Sequence, residues 1–187
     1  MFTIPNIVTL TRLLLVPCFL VASMRGMYIV AFVLFVVAAL SDTLDGMLAR
    51  RLNAHSRLGA LLDPAADKIL MVCGFVYYTF AKLPVVSIPG WMTWSVFIRD
   101  FLIVIGAFLM YTRVNLTRFP PSVWGKASTV LQALTLGVTI AVNGFVKVLL
   151  PVAEVMFHLS MLLTLFSGWH YMHRARRTLD ELSPAAA

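Results

Sequence analysis

The chain has 187 residues, of which 60% are hydrophobic and 12% are charged, and its mean hydropathy is +0.90. Soluble domains are about 45–50% apolar and about 25% charged, so this composition excludes an ordinary soluble domain and indicates an integral membrane protein. The net charge of +7 is better explained by Lys and Arg on the cytoplasmic side of a membrane than by binding to nucleic acid.

Six apolar stretches follow one another along the chain, each close to the roughly 20 residues that a helix needs to cross a bilayer. We expect membrane-spanning helices near residues 5–23, 28–48, 60–81, 91–111, 127–147 and 152–171. The sequence therefore predicts an all-α integral membrane protein with one membrane domain over residues 1–187 and a flexible tail from about 178 to 187. Cys18 and Cys73 both lie in apolar stretches, which predicts core packing rather than a metal site or a disulfide.

Basic residues are divided unevenly between the two ends of the predicted spans. If the N-terminus is cytoplasmic, only Arg25, Lys82 and Lys147 fall in outside loops. Nine basic residues then lie on the cytoplasmic side: Arg50, Arg51, Arg57, Arg113, Arg118, Lys126, Arg174, Arg176 and Arg177. Because cytoplasmic loops carry an excess of Lys and Arg, this arrangement predicts that both termini are cytoplasmic.

Acidic residues are rare, and four of the eight lie between positions 42 and 67. Asp42 and Asp45 fall near the cytoplasmic end of the second predicted span, and Asp63 and Asp67 near the cytoplasmic start of the third. A carboxylate at the bilayer centre costs about 2.5–3.5 kcal/mol, so four of them need a compensating partner. Spacings of three and four residues put each pair on one helix face. Oxygen ligands in this number predict a site for a hard divalent cation such as Mg²⁺ or Mn²⁺.

Small residues and one cation accompany these aspartates. Gly46 and Ala49 continue the helix face of Asp42, and Gly59 lies one turn before the next aspartate. A flat ligand could therefore lie against the backbone, and Arg50 offers a planar fork of donors for a phosphate. Taken singly, such residues could equally serve helix packing or proton relay. Their concentration at one membrane depth favours a ligand site.

The spacing Asp-x₂-Asp-Gly-x₂-Ala-Arg-x₈-Gly-x₃-Asp-x₃-Asp over residues 42–67 resembles the motif of the CDP-alcohol phosphotransferase family, with every interval intact. The opening Ile4-Pro5-Asn6-x₄-Thr11-Arg12 resembles the start of phosphatidylglycerophosphate synthases and of eukaryotic-type cardiolipin synthases. The resemblance implies six transmembrane helices, an active site open to the cytoplasm and, usually, a homodimer. It also implies transfer of a phosphatidyl group from CDP-diacylglycerol to a polar alcohol, with release of CMP.

The resemblance further implies a role for each motif residue. Two divalent ions, Mg²⁺ or Mn²⁺, would be held by Asp42, Asp45, Asp63 and Asp67. The CDP group would be contacted by Gly46, Ala49, Arg50 and Gly59. Asp67 is in addition the implied general base, taking the proton of the acceptor hydroxyl while the metals neutralise the diphosphate.

The acceptor alcohol is less well specified by the sequence. Glycerol 3-phosphate needs a cationic pocket, for which the candidates are Arg99, Arg113, Arg118 and Lys126. Arg99 is the most informative, because a cation within an apolar span is rare unless it has a function. An ion pair with Asp100 or with a motif aspartate would explain it equally well. Arg99-Asp100 resembles the cardiolipin synthases, whose acceptor is phosphatidylglycerol, whereas phosphatidylglycerophosphate synthases usually have Arg-Glu there. Inositol phosphate also remains open.

Two non-enzyme classes compete with this interpretation. An ion or proton transporter would also use carboxylates within the membrane, but it predicts acids spread through the bilayer and broken helices in repeated halves. A structural scaffold has no use for Arg50 and Gly59 at fixed spacing. The favoured hypothesis is phosphatidylglycerophosphate synthesis for phospholipid biosynthesis in a bacterial inner membrane. The alternative is a mitochondrial protein that lacks its transit peptide.

Overall fold

The computed structural model describes residues 4–52, 57–114 and 122–182, with side chains in these ranges except at 4–10, 42–67, 109–111, 113–114 and 178–182. The helices are, in order, α1 (Ile4–Met24), α2 (Tyr28–Leu52), α3 (Arg57–Phe80), α4 (Gly90–Val114), α5 (Val123–Gly144) and α6 (Leu150–Leu182). A short 3₁₀ turn, Lys147–Leu149, precedes α6. No β-strand occurs in the described ranges, and the predicted all-α class is confirmed there.

Each predicted span overlaps one helix, although the fifth, predicted to end at residue 147, corresponds to a helix that ends at Gly144. Among the residues whose side chains are described, three segments are long and apolar enough to cross a membrane: Gly90–Phe108, Val123–Gly144 and Lys147–Arg177. In α1, α2 and α3, the stretches with described side chains are also apolar. At the other end of the chain, α6 continues to Leu182, past the predicted end of the last span at residue 171. Hydropathy locates the apolar part of a helix, whereas the backbone stays helical until a breaking residue, and neither Gly nor Pro occurs between residues 169 and 182.

The chain forms two compact units, and the first comprises Met1–Ile88 with Leu136–Pro151. Here α1 packs against both α2 and α3. The core contains a row of aromatic rings, with the centroid of Phe19 6.0 Å from that of Phe35 and 6.2 Å from that of Tyr78. The Tyr78 hydroxyl lies 3.1 Å from Ser23 Oγ, so its polar end is satisfied where its ring is buried. The Tyr77 hydroxyl in addition donates to Ser23 O at 2.9 Å, so aromatic packing and hydrogen bonds to Ser23 together hold these helices.

A close helix contact and one side-chain clamp complete the first unit. A Cβ added to Gly74 on α3 would overlap the side chain of Leu136 on α5, so the missing side chain lets these helices approach. The amide of Asn143 binds the segment before α4, accepting from Val85 N at 3.0 Å and Val86 N at 3.2 Å. It also donates to Val86 O at 2.8 Å. The end of α5 is thereby fixed to the connection that follows α3.

The prediction for the cysteines is wrong at one of the two positions. Cys73 is half-buried, but Cys18 is exposed, and both are free thiols. An apolar run cannot distinguish the packed side of a membrane helix from its lipid-facing side, because both sides are apolar.

The second unit comprises Pro89–Thr135 with Val152–Ala187 and therefore contains α4, the first part of α5 and most of α6. The buried face of α4 follows positions Met92, Val96 and Arg99, at intervals of four and three residues. This periodicity places a cation in the packed stripe of an apolar helix, where an intramembrane charge is expected to face protein rather than lipid.

Candidate functional site

The motif residues lie on two helices of the first unit. Five of them, Asp42, Asp45, Gly46, Ala49 and Arg50, belong to α2. The other three, Gly59, Asp63 and Asp67, belong to α3. The backbone is helical at all eight positions. Residues three or four apart lie on one face of a helix, which is what the prediction for each aspartate pair requires. Their side chains lie outside the described residues, so their contacts stay a prediction.

The donor set of the motif suits a divalent cation. Four carboxylates at helical spacing, with no His or Cys among positions 42–50 and 59–67, provide the hard oxygen ligands that Mg²⁺ and Mn²⁺ prefer. Among the side chains that the structure describes, no three His, Cys, Asp or Glu residues come together to hold a metal. The four motif aspartates lie outside that set.

A cavity of about 510 Å³ lies in the second unit, and we call it the anion pocket. Its lining residues are Arg99, Ile103, Ser122, Gly125, Lys126, Thr129, Val130, Ser167 and Tyr171. Arg99 and Lys126, two of the four acceptor candidates, therefore share one cavity. Of the other two, Arg113 lies near the end of α4 with a side chain that is not described, and Arg118 lies wholly outside the described residues.

Arg99 is the most constrained cation of the anion pocket. It is only 8% exposed, and Nη1 donates to Asp100 Oδ1 at 2.9 Å. Nη2 donates to Ser167 Oγ at 3.1 Å and to Gly125 O at 3.3 Å, while Nε has no partner among the described residues. The predicted ion pair with Asp100 is thus present, and Arg99 also lines a cavity, whereas its role in binding the acceptor stays a prediction.

The first turn of α5 adds a second source of positive potential. Ser122 caps this helix, accepting from Gly125 N at 3.0 Å, and its own carbonyl accepts from Lys126 N at 3.2 Å. The N-terminal end of a helix carries a partial positive charge and favours anions. None of the nine lining residues is acidic. The anion pocket therefore combines two cations with a helix N-terminus, which is an arrangement for binding a phosphate or carboxylate.

Small residues allow the helices to close around the anion pocket. A Cβ at Gly125 would lie 3.0 Å from Arg99 Nη2 and 3.2 Å from Ser122 Oγ. A Cβ at Gly106 would lie 2.8 Å from Cε1 of Tyr171, whose hydroxyl donates to Ile103 O at 3.2 Å. The sequence analysis missed Ser122, Gly125, Ser167 and Tyr171. The signal that could have found the first three is hydroxyl and small residues recurring every three or four positions from Ser122 along α5, and again along α6.

A second cavity, of about 400 Å³, lies in the first unit beside the turn between α1 and α2. It is lined by apolar residues together with Cys18 and a single cation, Arg25. None of the site residues predicted from the sequence lines it. The anion pocket is therefore the better candidate for a substrate site within the described residues.

The family match and the similar proteins described below indicate the same protein family. The family described as CDP-alcohol phosphatidyltransferase matches residues 2–166. A protein of Aquifex aeolicus named CDP-diacylglycerol--glycerol-3-phosphate 3-phosphatidyltransferase is 31% identical over 172 residues, covering 90% of this chain and 93% of that protein. A probable phosphatidylglycerophosphate synthase of Mycobacterium tuberculosis is 30% identical over 189 residues, covering 97% of this chain and 86% of that protein.

A cardiolipin synthase (CMP-forming) of Homo sapiens is also similar, at 28% identity over 96% of this chain and 64% of the human protein. These relatives differ in the acceptor that their names imply, but they agree on the class of protein. The family match includes the entire aspartate motif and extends over most of the chain. The chain therefore belongs to the CDP-alcohol phosphatidyltransferase family and is a transferase.

Proposed function

We propose that this protein transfers the phosphatidyl group of CDP-diacylglycerol to glycerol 3-phosphate, forming phosphatidylglycerophosphate and releasing CMP. The observation that carries the choice of acceptor is the anion pocket, where Arg99, Lys126 and the first turn of α5 provide positive potential with no acidic lining residue. The phosphate dianion of glycerol 3-phosphate is complementary to this positive potential. The names of the Aquifex and Mycobacterium relatives support the same acceptor.

The aspartate motif would supply the chemistry of transfer. Asp42, Asp45, Asp63 and Asp67 would hold two Mg²⁺ or Mn²⁺ ions, which when bound neutralise the diphosphate and stabilise the departing CMP. Asp67 takes the proton of the acceptor hydroxyl, whose oxygen then bonds to the lipid-linked phosphorus. The bond from that phosphorus to the CMP oxygen breaks as the new bond forms. The nucleotide is contacted by Gly46, Ala49, Arg50 and Gly59.

The anion pocket would bind the phosphate of the acceptor. Arg99 presents a planar guanidinium, which suits a phosphate better than the point charge of a lysine. Lys126 adds a second charge, and the exposed position of its side chain lets it reach an incoming ligand. Arg113, near the end of α4, and Arg118, which follows that helix in the sequence, stay candidates for the same role.

The second candidate function is cardiolipin synthesis with phosphatidylglycerol as acceptor. The adjacent Arg99 and Asp100 resemble that branch of the family, and the human relative carries that name. Phosphatidylglycerol carries one phosphodiester charge rather than a phosphate dianion, so it uses less of the positive potential of the anion pocket. Inositol phosphate is a third acceptor of suitable charge.

The membrane arrangement is part of the proposal. Six spans with both termini and the active site in the cytoplasm would put the basic loops inside, and the protein would lie in the bacterial inner membrane as a homodimer. Reporter fusions at the two ends of the chain test the orientation, and chemical cross-linking in the membrane tests the dimer. The orientation would be contradicted if a reporter enzyme that is active only in the periplasm showed activity when fused to the C-terminus.

An acceptor panel tests the function. Purified protein in detergent receives CDP-diacylglycerol with Mg²⁺ or Mn²⁺, and CMP release is followed with glycerol 3-phosphate, phosphatidylglycerol, inositol phosphate or serine. Release with glycerol 3-phosphate alone supports the proposal, and release with phosphatidylglycerol alone makes the protein a cardiolipin synthase. Asp67→Asn controls for contaminating enzymes. Folded protein that releases no CMP with any acceptor would contradict the transferase activity itself.

A further inference from the structure

Six buried polar residues line the contact between α5 and α6 in the second unit, and we call them the polar ladder. They are Ser128, Gln132 and Thr135 on α5, with Ser160, Thr164 and Ser167 on α6. None is more than 2% exposed. Polar side chains in an apolar helix pair are costly unless they bond to one another, so their placement on a single face of each helix requires an explanation.

The hydrogen bonds of the polar ladder set the register of the two helices. Thr135 Oγ1 lies 2.7 Å from Ser160 Oγ, and Gln132 Nε2 donates to Thr164 Oγ1 at 2.8 Å. Ser128 Oγ lies 3.1 Å from the same Thr164 hydroxyl. Residue numbers fall along α5 as they rise along α6, so the helices run antiparallel. A shift of one residue along either helix would break these bonds together, which makes the register specific.

Arg99 connects the next pair of positions along the two helices. Gly125 lies one turn before Ser128, and Ser167 lies one turn after Thr164. The guanidinium of Arg99 bridges these two positions, since Nη2 donates both to Gly125 O and to Ser167 Oγ. The orientation of the cation in the anion pocket therefore depends on where the polar ladder sets these two helices.

We propose that Ser167 is a positioning residue, which orients the Arg99 guanidinium for the acceptor while Gly125 leaves the space that this guanidinium occupies. The inference rests on the proposed function. Without the Ser167 hydroxyl, Nη2 keeps only the longer bond to Gly125 O, and the guanidinium can turn away from the ligand. A loss of orientation at this point weakens binding of the phosphate-bearing acceptor and leaves binding of CDP-diacylglycerol unchanged.

The same change, Ser to Ala, made at two positions tests the proposal. Ser167→Ala removes the hydroxyl that contacts Arg99, whereas Ser95→Ala removes an exposed hydroxyl on α4 that donates to Trp91 O. For Ser167→Ala we expect the KM for glycerol 3-phosphate to rise about tenfold, because a hydrogen bond to a charged group is lost. The KM for CDP-diacylglycerol should not change. Ser95→Ala should match wild type in both.

Two further variants keep the test independent of any one substitution. Gly125→Ala places a methyl group against Arg99 Nη2 and should raise the same KM. Gln132→Leu removes a central bond of the polar ladder while keeping its volume, and should act in the same direction more weakly. Thermal unfolding in detergent is measured for every variant, since a purely structural role would lower stability and maximal rate without separating the two KM values.

Binding of inorganic phosphate, measured by calorimetry without any lipid substrate, separates this inference from the proposed function. We expect Ser167→Ala to bind phosphate about tenfold more weakly than wild type and Ser95→Ala to bind it equally. If Ser167→Ala binds phosphate more weakly while wild type releases no CMP from CDP-diacylglycerol in the presence of glycerol 3-phosphate, the acceptor is overturned and the positioning role is supported. Equal phosphate binding in wild type and Ser167→Ala would overturn the positioning role, whatever the acceptor assay gives.

Discussion

Arg99 and Asp100 are neighbours on α4 and form an ion pair, with Nη1 donating to Oδ1 at 2.9 Å and side chains that are 9% and 13% exposed. An unpaired charge in an apolar helix would be costly, so the carboxylate offsets the burial of the guanidinium. The pair occupies Nη1 and leaves Nη2 directed to Ser167 and Gly125 at the anion pocket. Structural pairing and ligand binding are therefore compatible in one side chain.

Replacing Arg99 by Lys should impair acceptor binding even though the charge is kept. An ammonium cannot reproduce the planar set of bonds to Asp100, Gly125 and Ser167, so we expect the KM for glycerol 3-phosphate to rise about tenfold or more. Steady-state CMP release measures it. Arg25→Lys, at an exposed cation of the first unit, is the matched control. An unchanged KM in Arg99→Lys would show that Arg99 does not contact the acceptor.

Asp67→Asn should abolish most of the activity while leaving the protein folded. The amide keeps the shape of the carboxylate but cannot take a proton, so we expect CMP release to fall about 10²–10⁴-fold. Glu154→Gln, an exposed acid at the start of α6, should retain full activity. Size-exclusion profiles and thermal unfolding are compared in parallel. Activity above a tenth of wild type in Asp67→Asn would remove this residue from the role of general base.

Chelation should stop the reaction, and a hard divalent cation should restore it. Carboxylate ligands favour Mg²⁺ and Mn²⁺, so we expect EDTA to eliminate CMP release and an excess of either ion to recover it. Isothermal titration with Mn²⁺ should detect binding in wild type and a large loss in Asp42→Asn. Full activity after exhaustive chelation would exclude a dissociable metal from the mechanism.

Asn143→Ala should lower stability without affecting either substrate directly. The substitution removes the amide bonds to Val85 and Val86, and leaving these partly buried backbone groups without the amide costs about 1 kcal/mol. Thermal unfolding in detergent should therefore begin several degrees lower. Ser41→Ala, which removes an exposed hydroxyl bonded within α2, should leave the transition in place. Equal transitions would mean that this clamp does not contribute to stability.

Gly74→Val should destabilise the first unit, and a second substitution should compensate. The new side chain would collide with Leu136, which is fully buried, and overpacking of this kind costs about 1–3 kcal/mol. Leu136→Ala in the same chain provides space, so the double variant should unfold closer to wild type than the sum of the single effects predicts. Additive effects would show that the two positions are not in contact.

Local information in the sequence was sufficient for the helices and the motif. Each apolar stretch predicts a helix by itself, and the interval from Asp42 to Asp67 is a property of residue order. The same information was not sufficient for Cys18, which lies in an apolar run but is exposed. It also did not predict the burial of Arg12, a cation on α1 that is only 1% exposed.

The sequence by itself determined the all-α class, the order of the six helices and the family, because hydropathy and motif spacing depend only on neighbours along the chain. Tertiary structure alone decided that Arg99 meets Ser167 and Gly125, and that Lys126 shares their cavity. The physical reason is that these contacts depend on the rotation and register of α4, α5 and α6. Buried side chains distributed along the helices set that rotation and register together, and no single stretch of sequence contains it.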